Sequence, residues 1–246
     1  MKRLIAQATV LAALPVLSGC DLPFMTAPAP TTAPTAVESC VLPTSLPAPH
    51  MEAVSPDDVV ADRPILFHML AVTWMPETCR NGGDGQGDMA CSGPNKFGWT
   101  LHGLWPNSDG RPYPRYCRAA TRVSDATIRA ELCRTPSVDL VQHEWAAHGT
   151  CGWDTPEAYF AQSARMYDGL ARPEPREGMT AGQLRDAFAA ANPGLPRDGV
   201  YIATTDRVRL REVRICNDLS FNPRPCPGGD VGAPDATVLT VEPVRD

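Results

Sequence analysis

The chain has 246 residues, enough for one large domain or two small ones, and 43% of them are hydrophobic, which excludes a disordered polymer. The formal net charge is −6 at pH 7, so net charge alone cannot hold nucleic acid, although a local basic groove stays open. Nine cysteines are too many for an ordinary cytosolic enzyme without metal clusters. They indicate an oxidising compartment or a metal.

Residues 1–19 have the pattern of a secretory signal peptide. Lys2 and Arg3 precede an apolar run that is too short to span a bilayer. The run ends in Leu-Ser-Gly before Cys20, which resembles a bacterial lipobox, where cleavage leaves the cysteine as a lipid-modified N-terminus. We therefore expect lipidation at Cys20, attachment to a membrane through this lipid, and a periplasmic or cell-envelope lipoprotein. The alternative is a plain signal peptide that is cut nearby.

Residues 20–50 are rich in Pro, Ala and Thr and predict a semi-extended tether, which leaves residues 51–246 for the folded domain. Cys40 within the tether indicates that the tether is pinned to the domain. Apart from Cys20, eight cysteines remain, and this even count in an exported chain predicts disulfides whose connectivity the sequence alone leaves open. No CxxC pair occurs, so a thiolate zinc cluster is not expected.

Strands and helices follow one another along the domain without a regular βαβ order. The apolar run 65–74 predicts a buried strand. Ser124 and Thr155 are predicted to cap the starts of two helices, and Thr180 with Gln183 forms a capping box for a third. Further strands are predicted at 200–203, 208–215 and 237–241. The mixture predicts one α+β domain.

Two short segments concentrate side chains that can do chemistry, WTLHGLWP at 99–106 and HEWAAHGTC at 143–151. The second segment invites comparison with the zinc motif HExxH, whose histidines lie four apart on one helix face. Here His143 and His148 lie five apart, so they diverge by about 140° around a helix. A metal ion could not sit between them, which argues against a zinc hydrolase. The sequence predicts no metal site and no other cofactor.

Glu144 and His148 are four residues apart and are predicted to meet on one helix face. A carboxylate beside an imidazole orients the ring and raises its pKa. Gly149 is expected to end this helix. His143 would then lie at the edge of the same surface, and His102 would face it from the first segment.

Both segments resemble the two active-site signatures of the ribonuclease T2 family of secreted endoribonucleases. The first segment matches throughout, and the second matches except at Ala147, where the family usually has lysine or another polar residue. The stretch 70–79 resembles the first core strand of the family, and 213–227 resembles its last disulfide segment. The resemblance covers roughly residues 62–243. It implies an α+β fold with a central antiparallel sheet flanked by helices and stapled by disulfides.

The resemblance implies an RNA-cleaving catalytic domain that needs no metal. Single-stranded RNA would be cleaved through its own 2′-hydroxyl, which gives a 2′,3′-cyclic phosphate and then a 3′-phosphate. His148 would act as the base and His102 as the acid, a task that suits imidazoles near neutral pH. His143 would hold the phosphate, and Glu144 would stabilise the phosphorane and tune His148. RNA would be the partner of a monomeric protein.

The resemblance also points to residues that bind the RNA base. Trp105 and Tyr113 stand where the family sandwiches a base between two rings, and such stacking needs flat π-faces more than charge. Asn107 replaces an aspartate that often bonds purines in the family, so the base preference stays open. The structural alternatives are core packing for Trp105 and a loop aromatic for Tyr113.

The missing lysine at Ala147 separates two hypotheses. In the family that cation supports the charge that builds on the phosphate, and such groups supply a few kcal/mol. An arginine from elsewhere could replace it in an active or slower enzyme, which the intact histidines favour. The alternative is a catalytically weakened RNA-binding or partner-binding protein on the same scaffold.

The resemblance also implies how the cysteines pair. It gives three pairs and leaves a fourth by elimination: Cys79–Cys91, Cys117–Cys151, Cys216–Cys226 and, last, Cys40–Cys133. The Cys117–Cys151 bond would tie the end of the second segment to the chain after the first one. It would hold His148 near His102, so its reduction should lower activity as well as stability.

Overall fold

The computed structural model describes residues 40–80 and 89–245. The predicted signal peptide, Cys20 and most of the predicted tether therefore lie outside the described residues. Within these ranges four strands form one antiparallel sheet in the order β2-β1-β4-β3, which confirms the predicted α+β fold with a central antiparallel sheet. The strands are β1 (Phe67–Trp74), β2 (Trp99–Asn107), β3 (Val200–Thr205) and β4 (Arg209–Asn217).

The helices flank this sheet, and three of them begin where the capping residues predict. The side chains of Ser124, Thr155 and Thr180 each accept a backbone hydrogen bond at a helix start, and Thr180 with Gln183 forms the predicted capping box. The helices are α1 (Met75–Cys79), α2 (Asp125–Glu131), α3 (Val138–Glu144), α4 (Thr150–Gly152), α5 (Pro156–Gly169) and α6 (Ala181–Ala191).

The main core lies between one face of the sheet and these helices. Trp74 of β1 and Trp99 of β2 meet edge to face with ring centres 5.1 Å apart, and Phe188 of α6 packs on Trp99. The hydroxyl of Tyr167 donates to the Trp99 carbonyl at 2.7 Å, so its polar end is satisfied inside the core. Burial of each such large side chain contributes about 1.5–3 kcal/mol, which fixes α5 and α6 on the sheet.

A β-bulge interrupts the pairing of β1 with β2 at His102. Ala71 pairs with Gly103 and Val72 pairs with Leu101, so His102 is an extra residue without a partner on β1. A bulge bends its strand and re-aims the side chain of the extra residue. The sheet thereby turns the His102 side chain out of the regular alternation of β2.

The outer edge of β2 is covered by the chain that packs against it. Leu101 donates its amide to the Arg134 carbonyl at 2.7 Å, and its own carbonyl accepts from the Thr135 hydroxyl at 2.9 Å. The Leu104 amide donates to the Tyr159 hydroxyl at 3.1 Å. These groups point away from β1, so loops and helices satisfy backbone positions that an edge strand would otherwise expose.

Four disulfides join the described cysteines, in the pairs named above: Cys40–Cys133, Cys79–Cys91, Cys117–Cys151 and Cys216–Cys226. The third pair links the segment after β2 to α4 across 34 residues. The first pair holds the described end of the tether on the domain. There, Arg129 donates to the carbonyls of Pro43 and Thr44 at 3.0 and 3.1 Å. Residues 40–50 thus pack on the domain that was expected to begin at residue 51.

The prediction of a strand at 237–241 is wrong. Only isolated bridges occur there, and neighbouring residues bond to different parts of the chain. Leu239 donates to the Met179 carbonyl at 2.8 Å, whereas Thr240 donates to the Val208 carbonyl at 3.0 Å. The alternating apolar pattern reflects burial of this segment, but no single partner strand offers it a continuous ladder. No helix within residues 40–80 and 89–245 is long and apolar enough to cross a bilayer.

Candidate active site

The bulge at His102 places its imidazole between two buried carboxylates. The ring Nδ1 lies 2.5 Å from Oε2 of Glu212 on β4, and Nε2 lies 3.4 Å from Oε1 of Glu144 at the end of α3. The Arg214 Nε donates to the second oxygen of Glu212 at 2.6 Å. Because an ionised carboxylate only accepts hydrogen bonds, Glu212 fixes the proton of His102 on Nδ1 and turns Nε2 toward Glu144.

The electrostatics of this group favour a protonated His102. Burial lowers the pKa of His102, but the Glu144 and Glu212 carboxylates outweigh burial, so this pKa is raised overall. Burial raises the pKa of Glu212, yet His102 and Arg214 hold it at about 2. The pKa of Glu144 is raised, mainly by burial. Glu212 therefore stays ionised and keeps a proton on His102.

Gly103 makes room for the Glu144 carboxylate against the sheet. A Cβ at this position would overlap that carboxylate. The indole Nε1 of Trp105 donates to Glu144 Oε2 at 2.9 Å, and the Tyr159 hydroxyl lies 3.5 Å from the same oxygen. The glycine between His102 and Trp105 is thus required by the close approach of α3 to β2.

The second motif leaves the regular α-helix directly after Glu144. The residues Trp145–Gly149 form a π-helical turn, and the helical path continues through α4 to Gly152. The prediction that Gly149 ends the helix is therefore wrong. Gly149 is glycine because of packing: a Cβ there would overlap the Trp145 ring and press on Tyr159. Single π-turns occur frequently at functional sites.

His148 lies in this π-turn as a buried imidazole with a low proton affinity. Its Nδ1 is buried and has no hydrogen-bond partner among the described residues. Its pKa is lowered well below the ordinary value of 6.5, first by burial and then by the positive charges of His143, His102 and Arg115. The prediction that Glu144 raises the pKa of His148 is wrong: Glu144 instead accepts from Trp105 and faces His102, and it is not among the charges that shift the pKa of His148.

Trp105 stands between the two imidazoles of His102 and His148. Its ring centre lies 5.0 Å from that of His102 and 5.4 Å from that of His148. Tyr113 lies on His148 with ring centres 6.3 Å apart and an interplanar angle of 27°. Trp105, Asn107 and Tyr113 line one cavity of about 270 Å³, together with Arg214. The three residues predicted to bind a base thus share one cavity beside the imidazoles.

Two guanidinium groups reach this region. Arg214 lies 4.7 Å from the ring centre of Trp105 and 5.3 Å from that of Tyr201, within the range of cation–π contact. Arg115 lies 6.0 Å from the Tyr113 ring centre, and its charge helps to lower the pKa of His148. Two arginines therefore supply positive charge to a site in which Ala147 is buried and carries none.

His143 lies on α3, with its ring centre 6.4 Å from that of His148. Its Nδ1 is 2.5 Å from Oε1 of Glu52, which precedes the sheet in the chain. The structure thus brings His102, His143, Glu144 and His148 to one place. In the described parts of the chain, no group of three His, Cys, Asp or Glu side chains is arranged to hold a metal ion.

Glu212 and Glu52 lie outside both sequence motifs and were not predicted, although both carboxylates touch an imidazole of the site. A sequence signal existed for Glu212, because a glutamate and an arginine two residues apart in a predicted strand point to the same face. Glu52 has no local signal, since it comes from a Pro-rich stretch far from both motifs.

Comparisons with known proteins agree with this picture. Residues 65–175 match the model of the ribonuclease T2 family. A probable ribonuclease of Haemophilus influenzae is 29% identical over 178 residues, which is 68% of this chain and 62% of that protein. A ribonuclease T2 protein of Caenorhabditis elegans is 24% identical over 52% of this chain and 56% of its own length. The chain thus spans less than two thirds of these two relatives.

Solved structures show the same fold. Trichomaglin, described as an S-like ribonuclease, superposes with a TM-score of 0.62 at 18% identity, covering 74% of this chain and all of that one. An RNase-related protein from Calystegia sepium gives a TM-score of 0.59 at 19% identity, covering 75% of this chain and all of its own. The fold is therefore ribonuclease T2-like.

Proposed function

Given that this chain carries the sequence pattern and the fold of the ribonuclease T2 family, we propose that it is a metal-independent endoribonuclease that acts on single-stranded RNA. It transfers the phosphodiester to the 2′-hydroxyl and releases a 2′,3′-cyclic phosphate, which is then hydrolysed to a 3′-phosphate. The observation that carries this proposal is the placement of His102 and His148 beside Trp105 in opposite surroundings, His102 between two carboxylates and His148 buried with no partner for Nδ1 among the described residues. Burial lowers the pKa of His148, whereas the neighbouring carboxylates raise the pKa of His102 and keep it protonated.

The unequal imidazoles suit the two proton transfers. His148 takes the proton of the 2′-hydroxyl, whose oxygen attacks the phosphorus. The bond from phosphorus to the 5′-oxygen breaks, and His102 gives its proton to that leaving oxygen. In the second step water replaces the leaving alcohol and the roles of the imidazoles reverse, which restores both protonation states. No external nucleophile is needed, and DNA is inert because it lacks the 2′-hydroxyl.

The remaining side chains manage charge and position. His143 holds the phosphate, and Glu144 supports the crowded phosphorane through its place beside His102. Trp105 and Tyr113 stack on the base, and Asn107 contacts its edge in the cavity that these residues line. We assign the electrostatic task of the missing lysine at Ala147 to Arg115 and Arg214, which lie beside the same aromatic rings.

The direct test is cleavage of an RNA that carries one internal 2′-deoxynucleotide, in excess EDTA and with the disulfides formed. We expect cleavage after ribonucleotides, with 2′,3′-cyclic phosphate ends, and no cleavage after the deoxynucleotide. His102→Ala and His148→Ala should abolish these ends, whereas Glu174→Gln, which changes an exposed side chain outside the site, should retain them. The proposal would be overturned if the well-folded protein did not cleave RNA. It would also be overturned by cleavage at the deoxy position.

The second candidate function is a catalytically weakened RNA-binding or partner-binding protein, which Ala147 favours. In this case His102→Ala would leave the effect on RNA unchanged, and Ala147→Lys would create cleavage that the natural chain lacks. Ala147 is buried and its carbonyl accepts from the Tyr116 amide at 2.9 Å, so the folding of this variant must be checked first. Measuring RNA affinity beside cleavage separates the two functions.

We also propose that the protein is exported and anchored by a lipid on Cys20. The signal pattern of residues 1–19 and the four disulfides of the domain support an oxidising compartment. Mass spectrometry of the mature N-terminus should find a diacylated Cys20. Cys20→Ser should release the protein from the membrane fraction, and an unmodified N-terminus at another residue would refute the anchor.

A further inference from the structure

An N-terminal strap, defined here as residues 40–60, crosses the domain and ends beside the candidate active site. It lies before residue 65, where the match to the family begins. From this strap Glu52 presents one oxygen to His143 Nδ1 at 2.5 Å and the other to the Tyr116 hydroxyl at 3.1 Å. The strap thus adds a carboxylate to the site from outside the matched region.

The strap is held on both sides of Glu52. Before it, the His50 amide donates to Asp139 Oδ1 at 2.7 Å. After it, Arg115 donates to the Asp58 carbonyl at 2.9 Å and to its carboxylate at 3.0 Å. The strap begins at the Cys40 disulfide. Asp139 and His143 lie four apart on α3, so the same helix face that anchors the strap also carries the imidazole it contacts.

The contact with Glu52 decides which nitrogen of His143 carries the proton in the neutral ring. An ionised carboxylate only accepts hydrogen bonds, so Nδ1 must be the donor. Nε2 is then the nitrogen that this contact leaves unused, and in the doubly protonated ring Nε2–H can donate to a phosphate oxygen while Nδ1–H stays on Glu52. Glu212 makes the corresponding contact with His102. His148, which lacks such a partner among the described residues, is the exception in the group.

Tyr116 connects this contact to the π-turn. Its backbone has a φ of 50°, a left-handed conformation that is unusual for tyrosine. This conformation lets its amide donate to the Ala147 carbonyl at 2.9 Å while its hydroxyl bonds Glu52. Burial, and then the Glu52 charge, raise the pKa of Tyr116 to about 12, so the hydroxyl remains a donor. One residue therefore links the strap to the residue before His148.

We propose that Glu52, carried by the disulfide-pinned strap, is a positioning residue for His143 in the phosphate subsite. Glu52 acts through the imidazole and does not touch the reacting atoms. This inference rests on the proposed function only in naming the ligand of His143 as a phosphate. The position of the proton on His143 follows from the contact alone and can be measured without activity.

The first experiment reads the imidazole directly in the full chain with its disulfides formed. The protein has five histidines, few enough to assign in long-range ¹H–¹⁵N spectra. At a pH where His143 is neutral, we expect the Nδ1–H tautomer in the natural protein and a tautomer mixture in Glu52→Ala. Glu52→Gln, whose amide oxygen still accepts, should keep most of the Nδ1–H form. Asp57→Asn, which removes an exposed charge from the same strap, is the matched control. An unchanged tautomer in Glu52→Ala would overturn the proposal.

The second experiment follows the binding of inorganic phosphate and RNA turnover. Glu52→Ala should weaken phosphate binding and raise KM by about tenfold, the loss of one charge-assisted hydrogen bond, with a smaller change in kcat. Glu52→Gln should recover most of this loss. Tighter phosphate binding in Glu52→Ala would mean that the carboxylate competes with the ligand, which contradicts a positioning role. If the natural protein is inactive but Glu52→Ala still changes the tautomer of His143, the proposed function is refuted and the positioning role of Glu52 stands.

Discussion

Glu212 accepts a hydrogen bond from His102 Nδ1 at 2.5 Å, although the two residues lie 110 positions apart and on strands that are not neighbours in the sheet. The strand between them contributes Thr73, whose hydroxyl donates to the same Glu212 oxygen at 3.2 Å. Three strands thus build one proton-holding unit. His102 is the general acid of the proposed reaction. Its protonation depends on partners from other strands of the sheet and not on the motif 99–106 that contains it.

Glu212→Gln should slow the reaction while leaving the fold intact. The amide is nearly isosteric, but it removes the negative charge that keeps His102 protonated, so kcat should fall by about 10–100-fold. Steady-state kinetics with RNA would measure this effect, and thermal unfolding would control for stability. Glu174→Gln, which removes an exposed charge outside the sheet, should behave as the natural protein. Unchanged kinetics in Glu212→Gln would show that the contact has no role in catalysis.

The rate should depend on pH as a bell whose two sides lie on either side of the ordinary histidine value of 6.5. The base must be neutral, and the lowered pKa of His148 puts the acidic limb below 6.5. The acid must be protonated, and the raised pKa of His102 puts the alkaline limb above 6.5. In Glu212→Gln the pKa of His102 falls, so the alkaline limb should move to lower pH while the acidic limb stays. Profiles of kcat/KM would measure both limbs, and movement of the acidic limb alone would contradict the assignment.

Gly103→Ala should damage both stability and activity. A methyl group there overlaps the Glu144 carboxylate, so α3 must move away from β2 or Glu144 must leave its bond with Trp105. Overpacking of this kind costs about 1–3 kcal/mol of unfolding free energy. Denaturant unfolding and RNA cleavage would measure the two effects. Gly93→Ala is the matched control, since a Cβ at Gly93 meets open space.

Removal of the Cys117–Cys151 disulfide should cost activity beyond its cost in stability. The bond closes a loop of 34 residues. Loss of a cross-link that closes a loop of this size lowers the free energy of unfolding by about 3–4 kcal/mol. Cys151 lies two residues after the π-turn that contains His148. The variant in which both cysteines are serine should therefore have a lower kcat, even at temperatures where it is folded. The Cys79–Cys91 pair lies away from the imidazoles and serves as the control: its serine variant should lose stability but keep kcat.

Local patterns were sufficient for much of the fold. The caps at Ser124, Thr155 and Thr180 mark helix starts because the side chain bonds its own turn, which needs no tertiary contact. The positions of β1 and β4 follow from their apolar residues for the same reason. The segment at 237–241 has a similar pattern without a strand, because a ladder requires a partner that the sequence of the segment does not specify.

Tertiary contacts decided the parts of the site that the sequence did not reveal. The π-turn Trp145–Gly149 packs its glycine tightly against Trp145 and Tyr159, and Glu144 just before it contacts Trp105 and His102, where a regular helix predicts His148. Glu212 and Glu52 reach their imidazoles only after distant segments come together. A carboxylate that lies so far along the chain from its imidazole has no fixed spacing to it, so no short sequence motif contains both residues.

The covered outer edge of β2 also affects how copies of this protein meet. An edge strand with free backbone groups is a template on which a strand of another molecule can pair, and such pairing leads to aggregation. In β2 the groups of Leu101 and Leu104 are already bonded by Arg134, Thr135 and Tyr159. The strand that carries His102 therefore offers few free sites for edge-to-edge growth, so an apolar strand beside an open cleft remains compatible with a dispersed protein.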